Sequence, residues 1–237
     1  MFRLKKIEKE LNKKNTNNFV MEEKQESIHS EAYRTLRTNI EYSSLNKEIK
    51  SILVTSSEPA EGKSTVAANV ALAFSEANRK VIIVDCDFRN PSVHKNFKAS
   101  NSIGISDVIC NGINLLDAIQ TYNEKLDILT SGQVSINPLK VLESKKFDII
   151  INSLKAAYDI VIFDSPSVAA FTDAQVISTK VNGTLFVIRA GRTDKNVANE
   201  ARNLLMKVGA NIIGIVLQDV EDNRKEYFSY YKSRKTI

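Results

Sequence analysis

The 237-residue chain has few of the residues that build covalent or metal-based scaffolds. It has no tryptophan, four prolines, eight glycines, two cysteines and two histidines. Cys86 and Cys110 are too few for a disulfide framework or a four-thiolate zinc site within one chain, and they indicate a reducing cytoplasm. His29 and His94 are too few for a His-rich metal site. The low proline and glycine content excludes a collagen-like or proline-rich protein.

Long hydrophobic runs are also missing. No stretch approaches the roughly 20 apolar residues that a membrane-spanning helix needs, and the basic segment 1–14 is not followed by the apolar region of a secretory signal. Hydrophobic residues make up 43% and charged residues 26% of the chain, as in ordinary globular proteins. The net charge of +5 lies partly at the two ends. Basic ends can meet anionic lipid, nucleic acid or an acidic protein surface, or can simply be solvated.

The polar and apolar patterns divide the chain into three parts. Residues 1–28 are rich in Lys, Asn and Glu and predict a flexible basic arm. Residues 29–220 carry the apolar periodicity of a single domain. Residues 221–237 are polar, contain a tyrosine cluster and predict a mobile tail.

Within the domain, residues 30–45 predict a helix, because Tyr33, Leu36 and Ile40 fall on one helical face and Ser30 is a suitable N-cap. From residue 51 onwards, short β-branched runs alternate with helical stretches. The predicted strands are 52–55, 81–85, 126–130, 160–164, 184–189 and 212–217. The predicted helices that follow are 64–77, 173–179 and 195–208. The pattern indicates a doubly wound α/β fold, a mostly parallel sheet with helices on both faces.

The segment between the first strand and its helix resembles a phosphate-binding P-loop. The residues predicted to bind nucleotide there are Glu58, Pro59, Ala60, Glu61, Gly62, Lys63, Ser64 and Thr65. Gly62 permits a close backbone approach, Lys63 supplies positive charge to the β- and γ-phosphates, and the Ser64 hydroxyl can ligate Mg²⁺. The first glycine of the G-x-x-x-x-G-K-[ST] pattern is replaced by Ser57.

Three acids end two other predicted strands. Asp85 and Asp87 follow the strand 81–85, and Asp164 ends the strand 160–164 in the manner of a Walker B acid. Because the carboxyl ends of parallel strands share one edge of the sheet, all three acids are predicted to converge on the P-loop. Carboxylates there suit Mg²⁺, directly or through water.

These motifs together resemble the bacterial tyrosine kinases (BY-kinases) of capsule and exopolysaccharide operons, within the wider MinD/ParA-like P-loop ATPases. The resemblance covers roughly residues 27–231. Besides the P-loop and the acids, it rests on the Glu-x-x-Arg-x-x-Arg helix, the Asp-x-Asp-x-Arg strand end, an Asp-Ser-Pro sequence and the C-terminal tyrosine cluster. It also rests on four shorter matches at 90–94, 129–132, 137–138 and 172–175.

The resemblance implies an ATP- and Mg²⁺-dependent protein-tyrosine kinase. The implied catalytic residues are Lys63, Asp85, Asp87 and Asp164, with Asp85 orienting or deprotonating the incoming tyrosine. The implied magnesium ligands are Ser64, Asp87 and Asp164. The implied phosphoacceptors are Tyr227, Tyr230 and Tyr231. The remaining tyrosines lie in patterned segments and are predicted to pack in the fold: Tyr33, Tyr42, Tyr122 and Tyr158.

The same resemblance implies partners. Glu31, Arg34 and Arg37 match a helix that mediates ring-like self-association, although a simple solvated surface is the alternative. A separate transmembrane activator is implied, which would recruit a cytoplasmic kinase to the inner face of the membrane. The implied role is regulation of capsular or exopolysaccharide synthesis and export, with a cognate tyrosine phosphatase. No nucleic-acid partner is expected.

Three positions depart from the family pattern. Ala60 and Ser167 stand where glycine and proline are usual, and Gln218 replaces an asparagine that reads adenine. Two alternatives to a kinase therefore stay open. One is a MinD/ParA-like ATPase, and the other is a non-catalytic nucleotide-binding adaptor of a membrane complex.

Overall fold

The computed structural model describes residues 19–23, 27–43, 48–133 and 137–220. One seven-stranded sheet forms the centre of this part of the chain. Its strands are β1 (Ser51–Ser56), β2 (Val81–Asp85), β3 (Ile119–Asn123), β4 (Leu126–Leu129), β5 (Ile160–Asp164), β6 (Gly183–Arg189) and β7 (Ile212–Gln218).

Helices of very different length connect the strands. In chain order along the described residues they are α1 (Val20–Glu23), α2 (Ile28–Tyr42), α3 (Lys63–Glu76), α4 (Val93–Phe97), α5 (Ile105–Asn111), α6 (Leu115–Ala118), α7 (Pro138–Leu142), α8 (Lys145–Ala157), α9 (Asp173–Ser178) and α10 (Lys195–Lys207). None of the described helices is both long and apolar enough to cross a membrane.

The strand order is β3-β4-β2-β5-β1-β6-β7. Every neighbouring pair is parallel except β3 and β4. Parallel neighbours need crossover connections, which the helices supply. The predicted doubly wound α/β fold is therefore confirmed.

Each face of the sheet has its own apolar core, because successive side chains of a strand point to opposite faces. On one face Ile52 and Val54 of β1 pack in a cluster with Val70 of α3. On the other face Leu53 packs in a cluster with Phe147 of α8. All five side chains are fully buried. Helices thus cover both faces of the sheet, and a ligand can approach the central strands only at their ends.

Seven elements were not predicted from the sequence: the short helices α1, α4, α5, α6 and α7, the longer helix α8 and strand β3. Helix α8 buries Phe147, Ile150, Ile151 and Leu154, a helical spacing that the sequence does carry. Strand β3 is a short antiparallel edge strand with a register shift, and its polar, half-exposed residues give no apolar run.

The N-terminal boundary of the domain needs correction. Part of the predicted flexible arm is folded, because Phe19 and Met21 are 2% and 4% exposed. The Phe19 ring lies 4.6 Å from that of Phe97 and edge-on to Tyr122. The Met21 N–H donates to Asn69 of α3 at 3.3 Å. Residues 1–18 and 24–26 of the predicted arm lie outside the described residues.

The following helix also begins earlier than predicted. Its N-cap is Ser27, whose hydroxyl accepts the Ser30 N–H at 3.1 Å, so Ser30 lies inside the first turn. The Ser30 hydroxyl is fully buried and donates to the Val20 carbonyl at 3.0 Å. This contact joins α1 to α2 and explains why a serine occupies a buried position.

The segment containing Phe19 is expected to contribute to stability. Replacing Phe19 with Ala should lower the free energy of unfolding by roughly 3 kcal/mol, because it leaves a cavity between two aromatic rings. Tyr42→Ala is the control, since Tyr42 is 74% exposed and such a change costs under about 0.5 kcal/mol. Denaturant unfolding measures both. Equal stability of the two variants would show that the segment does not contribute to the core.

Candidate active site

The P-loop lies between β1 and α3, where the sequence predicted it. Gly62 is the N-cap of α3 with φ of 89°, a left-handed conformation that favours glycine. A Cβ atom at Gly62 would lie 3.3 Å from Cγ of Gln218. The end of β7 therefore lies against the loop, and the left-handed backbone conformation favours glycine at position 62.

Lys63 begins α3 and points to the acids. Its Nζ lies 2.8 Å from Oδ2 of Asp87 and 3.3 Å from Oγ of Ser64. Burial lowers the pKa of Lys63, but the negative charges of Asp164 and Asp87 outweigh it, so that the pKa is raised. The ammonium group therefore stays charged, as a phosphate-binding lysine must.

Asp85 is completely buried and organises the turn after β2. Its Oδ1 accepts the N–H of Asp87 at 3.0 Å, and its Oδ2 accepts those of Ser92 and Val93, both at 3.0 Å. Burial and the nearby charge of Asp164 raise the pKa of Asp85, while the backbone N–H donors oppose the shift. Both carboxylate oxygens thus have partners within the protein.

Asp164 is the acid with unused oxygens. It pairs with Asp85 across the β2–β5 ladder and with Val54 of β1, which puts it beside the P-loop. It is completely buried, and neither oxygen makes a hydrogen bond of normal geometry within the described residues. Burial raises the pKa of Asp164 to about 6, although the charge of Lys63 and the nearby Ser64 hydroxyl act in the opposite direction.

The donor set fits a magnesium ion that is bound together with a nucleotide. No group of three or more His, Cys, Asp or Glu side chains in the described ranges is arranged to hold a metal by itself. Mg²⁺ usually takes one or two protein oxygens and completes its shell with phosphate and water. Asp164 offers two unpaired carboxylate oxygens, and the Ser64 hydroxyl is close to them.

The carboxylate of Glu61, within the P-loop, stabilises the loop itself. Glu61 is 5% exposed, and its carboxylate accepts hydrogen bonds from the Ser57 hydroxyl, at 2.8 and 3.0 Å, and from the Glu58 N–H at 2.9 Å. The Thr193 hydroxyl also donates to Glu61. Ser57 therefore replaces the usual first glycine with a side chain that joins this network, which accounts for the departure from the P-loop pattern.

The predicted Asp-x-Asp-x-Arg and Thr-Asp-Ala-Gln motifs meet in space. Arg89 donates to both carboxylate oxygens of Asp173, at 2.8 and 3.1 Å, and its guanidinium lies 3.8 Å from the centre of the Phe171 ring. Asp173 is completely buried. This contact fixes the rim of the site next to the Asp85 turn.

Gln218 lies beside the P-loop, as the prediction of a base-reading role requires. Its amide also donates to the Tyr33 hydroxyl of α2 at 3.3 Å. Tyr33 is 9% exposed, and burial raises its pKa, while the hydrogen bond to Gln218 lowers it. The structure thus connects α2, β7 and the P-loop through one amide side chain.

The residues predicted to mediate self-association have partners within the chain. Arg34 forms a bidentate ion pair with Glu76 of α3, at 2.7 and 2.8 Å, and lies 3.3 Å from Glu31. Arg37 donates to the Ala73 carbonyl at 3.3 Å and lies 3.8 Å from Glu41. Both arginines therefore hold α2 against α3.

The predicted packing tyrosines divide into two groups. Tyr33 and Tyr158 are buried, and Tyr122 is half-buried, with its hydroxyl 2.8 Å from Glu22. Burial, reinforced by Glu22, raises the pKa of Tyr122 to about 12.

Tyr42 is 74% exposed, so the prediction that it packs is wrong. It lies at the last residue of α2, past the buried face of that helix. Tyr227, Tyr230 and Tyr231 lie outside the described residues.

Arg189 was not singled out from the sequence. Arg189, at the end of β6, donates to the carbonyl of Ala60 at 3.2 Å and to the carboxylate of Asp219. Its backbone N–H donates to the Thr193 hydroxyl at 2.8 Å. An arginine at the carboxyl end of a parallel strand was the available signal, because that edge carries the ligand site.

Comparison with known proteins agrees with this geometry. The family model described as "AAA domain" matches residues 49–184. The tyrosine-protein kinase YwqD of Bacillus subtilis (strain 168) is 38% identical over 209 residues, which cover 88% of each chain. Both matches include the P-loop and all three strand-end acids.

Solved structures show the same fold. The chimerical protein CapA2B2 superposes with a TM-score of 0.84 at 33% identity, over 88% of this chain and 92% of the other. The kinase domain of the Escherichia coli tyrosine kinase ETK gives 0.80 at 27% identity, over 88% and 84%. The septum site-determining protein MinD of Pyrococcus horikoshii OT3, complexed with Mg-ADP, gives 0.62 at 26% identity, over 76% of both chains.

A lysine at the start of the helix and an acid at a strand end serve phosphate and Mg²⁺ binding in P-loop NTPases generally, so the site alone does not separate a kinase from a MinD-like ATPase. The level of identity to a tyrosine-protein kinase over nearly nine-tenths of both chains makes that distinction. The chain belongs to the bacterial tyrosine-protein kinases, a branch of the P-loop nucleotide-binding proteins.

Proposed function

We propose that this kinase transfers the γ-phosphoryl group of ATP to the tyrosines of its own C-terminal cluster, Tyr227, Tyr230 and Tyr231. The observation that carries the proposal is the end of β7. Gln218 contacts the P-loop, so the chain enters residues 221–237 at the edge of the sheet that holds the phosphate site. Tyr227 is the ninth residue after Gln218, so an extended chain places it at most about 30 Å from Gln218, which limits the reach of the first acceptor.

Lys63, Ser64 and Asp164 are the residues proposed to handle the phosphates and the metal. Phosphoryl transfer depends on positioning and on neutralising charge. Ser64 and Asp164, with Asp87 nearby, would hold Mg²⁺, which would supply part of that neutralisation. The Lys63 ammonium, now paired with Asp87, supplies the rest when it turns towards the γ-phosphate.

Asp87 is better placed than Asp85 to receive the proton of the tyrosine hydroxyl. Asp85 already accepts three backbone N–H groups and fixes the turn. Asp87 accepts one, from Asn90 at 2.9 Å, and its other oxygen holds Lys63. When Lys63 moves to the phosphate, this oxygen becomes available, and a tyrosine of pKa near 10 needs such an acceptor at neutral pH. We therefore assign Asp85 to positioning the turn.

The cellular role proposed here rests on the family resemblance. The kinase regulates capsular or exopolysaccharide synthesis and export. It works at the inner face of the membrane with a separate transmembrane activator, and a cognate tyrosine phosphatase reverses the reaction. Gln218 is proposed to contact the adenine. Glu31, Arg34 and Arg37 are proposed to join copies of the chain into a ring.

Labelled ATP tests the proposed reaction. Lys63→Met should lower the rate of phosphotyrosine formation by at least about 100-fold, because a preorganised cation is lost where charge develops. Lys207→Met removes an exposed lysine of α10 and is the control for charge. Replacing Tyr227, Tyr230 and Tyr231 with Phe should abolish phosphate on the protein while a tyrosine-containing polymer is still phosphorylated.

The same experiment separates the other functions. Phosphate released only to water from the wild-type protein indicates a MinD-like ATPase. Neither product, with activator present, indicates an adaptor. Phosphotyrosine that persists in the triple variant places the acceptor elsewhere in the chain.

The charge of Asp164 is expected to lower the stability of the nucleotide-free protein and to be required for activity. Asp164→Asn is expected to stabilise the nucleotide-free protein by about 1–3 kcal/mol at pH 7, because it removes a buried charge whose desolvation the Lys63 ammonium offsets only in part. The folded pKa of Asp164 is raised to about 6, so wild-type stability rises as the pH falls through that value, and the advantage of the variant shrinks. Thermal unfolding between pH 8 and about 5 measures this, and phosphotyrosine formation should be lost. A less stable variant would contradict the proposed cost.

Arg34 offers a controlled test of self-association. Arg34→Ala breaks the ion pair with Glu76 and removes the cation, whereas Glu76→Ala breaks the pair and leaves it. Each should cost about 1 kcal/mol or less in stability, since both side chains are partly exposed. If Arg34 crosses an interface, only Arg34→Ala should dissociate the oligomer in light scattering. Equal loss in both variants would mean that the ion pair, and not the cation, supports the assembly.

A further inference from the structure

One residue of the P-loop has a strained backbone. Ala60 has φ of 63°, in the left-handed region that costs an L-residue with a Cβ roughly 1–2 kcal/mol. The resemblance described above places glycine here, for which this conformation has no such cost. Contacts elsewhere in the chain must therefore hold Ala60 in place.

Arg189 supplies the contact. From the end of β6 its Nη1 donates to the Ala60 carbonyl at 3.2 Å, and its Nε donates to the carboxylate of Asp219 just past β7. The arginine side chain is 28% exposed, so water only partly competes for these bonds. Because the guanidinium is a rigid planar fork, Asp219 fixes its orientation towards the loop.

A second contact from the same turn reaches the next residue of the loop. The Thr193 hydroxyl donates to the buried Glu61 carboxylate and accepts the N–H of Arg189 at 2.8 Å. The turn after β6 therefore holds two successive P-loop residues, one by its backbone carbonyl and one by its side chain.

We propose that Arg189 is a positioning residue for nucleotide binding, acting through the Ala60 peptide. A trans peptide group is planar, so its carbonyl and the following N–H point in opposite directions. By holding the Ala60 carbonyl, Arg189 sets the direction of the Glu61 N–H, one of the backbone donors of the phosphate-binding loop. The proposal concerns nucleotide affinity, and it stands whether or not the C-terminal tyrosines are the acceptors.

A double-mutant cycle tests this mechanism. Arg189→Ala, Ala60→Gly and the double variant are titrated with a fluorescent ADP in Mg²⁺, and thermal unfolding without nucleotide reports on the fold. Arg192→Ala is the matched control, because it removes an exposed arginine from the same turn.

Arg189→Ala should weaken ADP binding by about tenfold, the value of one charge-assisted hydrogen bond. In the Ala60→Gly background the loss should shrink to about threefold or less, because glycine adopts the left-handed conformation without help. Arg189→Lys should restore only part of the affinity, and Asp219→Asn should weaken it by about threefold, since each leaves part of the contact. Arg192→Ala should bind as wild type.

Two results would overturn the proposal. The first is equal affinity of Arg189→Ala and Arg192→Ala. The second is a loss of the same size in both backgrounds, which would mean that Arg189 contacts the nucleotide directly and does not act through Ala60. If Arg189→Ala does not fold, Arg189→Lys with and without Ala60→Gly completes the cycle. Absence of phosphotyrosine on the tail, with these affinities as expected, would reject the proposed acceptor and leave the role of Arg189 intact.

Discussion

The interaction on which the site depends is the attraction between one partly buried ammonium and the carboxylates at the ends of β2 and β5. Lys63 lies 2.8 Å from Asp87, and it also lowers the pKa of Asp164 that burial raises. Without this cation, the acids of two adjacent strands would repel one another in a poorly solvated place. The site thus holds, in its own lysine, part of the positive charge that a phosphate and a magnesium ion require.

The sheet explains why these charges can be kept so close. Parallel strands β5, β1 and β2 end at one edge, and both faces of the sheet are sealed by apolar cores. Backbone N–H groups satisfy both oxygens of Asp85, whereas neither oxygen of Asp164 makes a hydrogen bond of normal geometry within the described part of the chain. Two acids in register on adjacent strands therefore differ in role because their local donors differ. Proteins commonly accept unsatisfied charge of this kind at active sites.

Around this centre, contacts from distant parts of the chain hold the P-loop. The Glu61 carboxylate accepts hydrogen bonds from the Ser57 and Thr193 hydroxyls. The Gln218 side chain lies against Gly62 and donates a hydrogen bond to Tyr33 of α2. The helix proposed to join subunits is therefore in contact with the phosphate site through one amide. Arg34 and Glu76 hold that helix against α3, whose first residue is Lys63.

Local sequence patterns were enough to predict the parallel sheet, the P-loop and the three acids, because buried strands and strand-end motifs involve residues that are close along the chain. They also indicated the family. The contacts of each polar group, in contrast, depend on how distant elements pack against one another. Asp85 and Asp164 both end predicted strands, so the sequence does not distinguish their roles. In sequence Arg34 has the pattern of a surface charge, and its ion pair with Glu76 of another helix is evident only from the packing of the two helices. Phe19 reads as part of a polar arm, because the rings that bury it come from residues 97 and 122. Pairings over such separations depend on how the elements pack, and no local pattern encodes them.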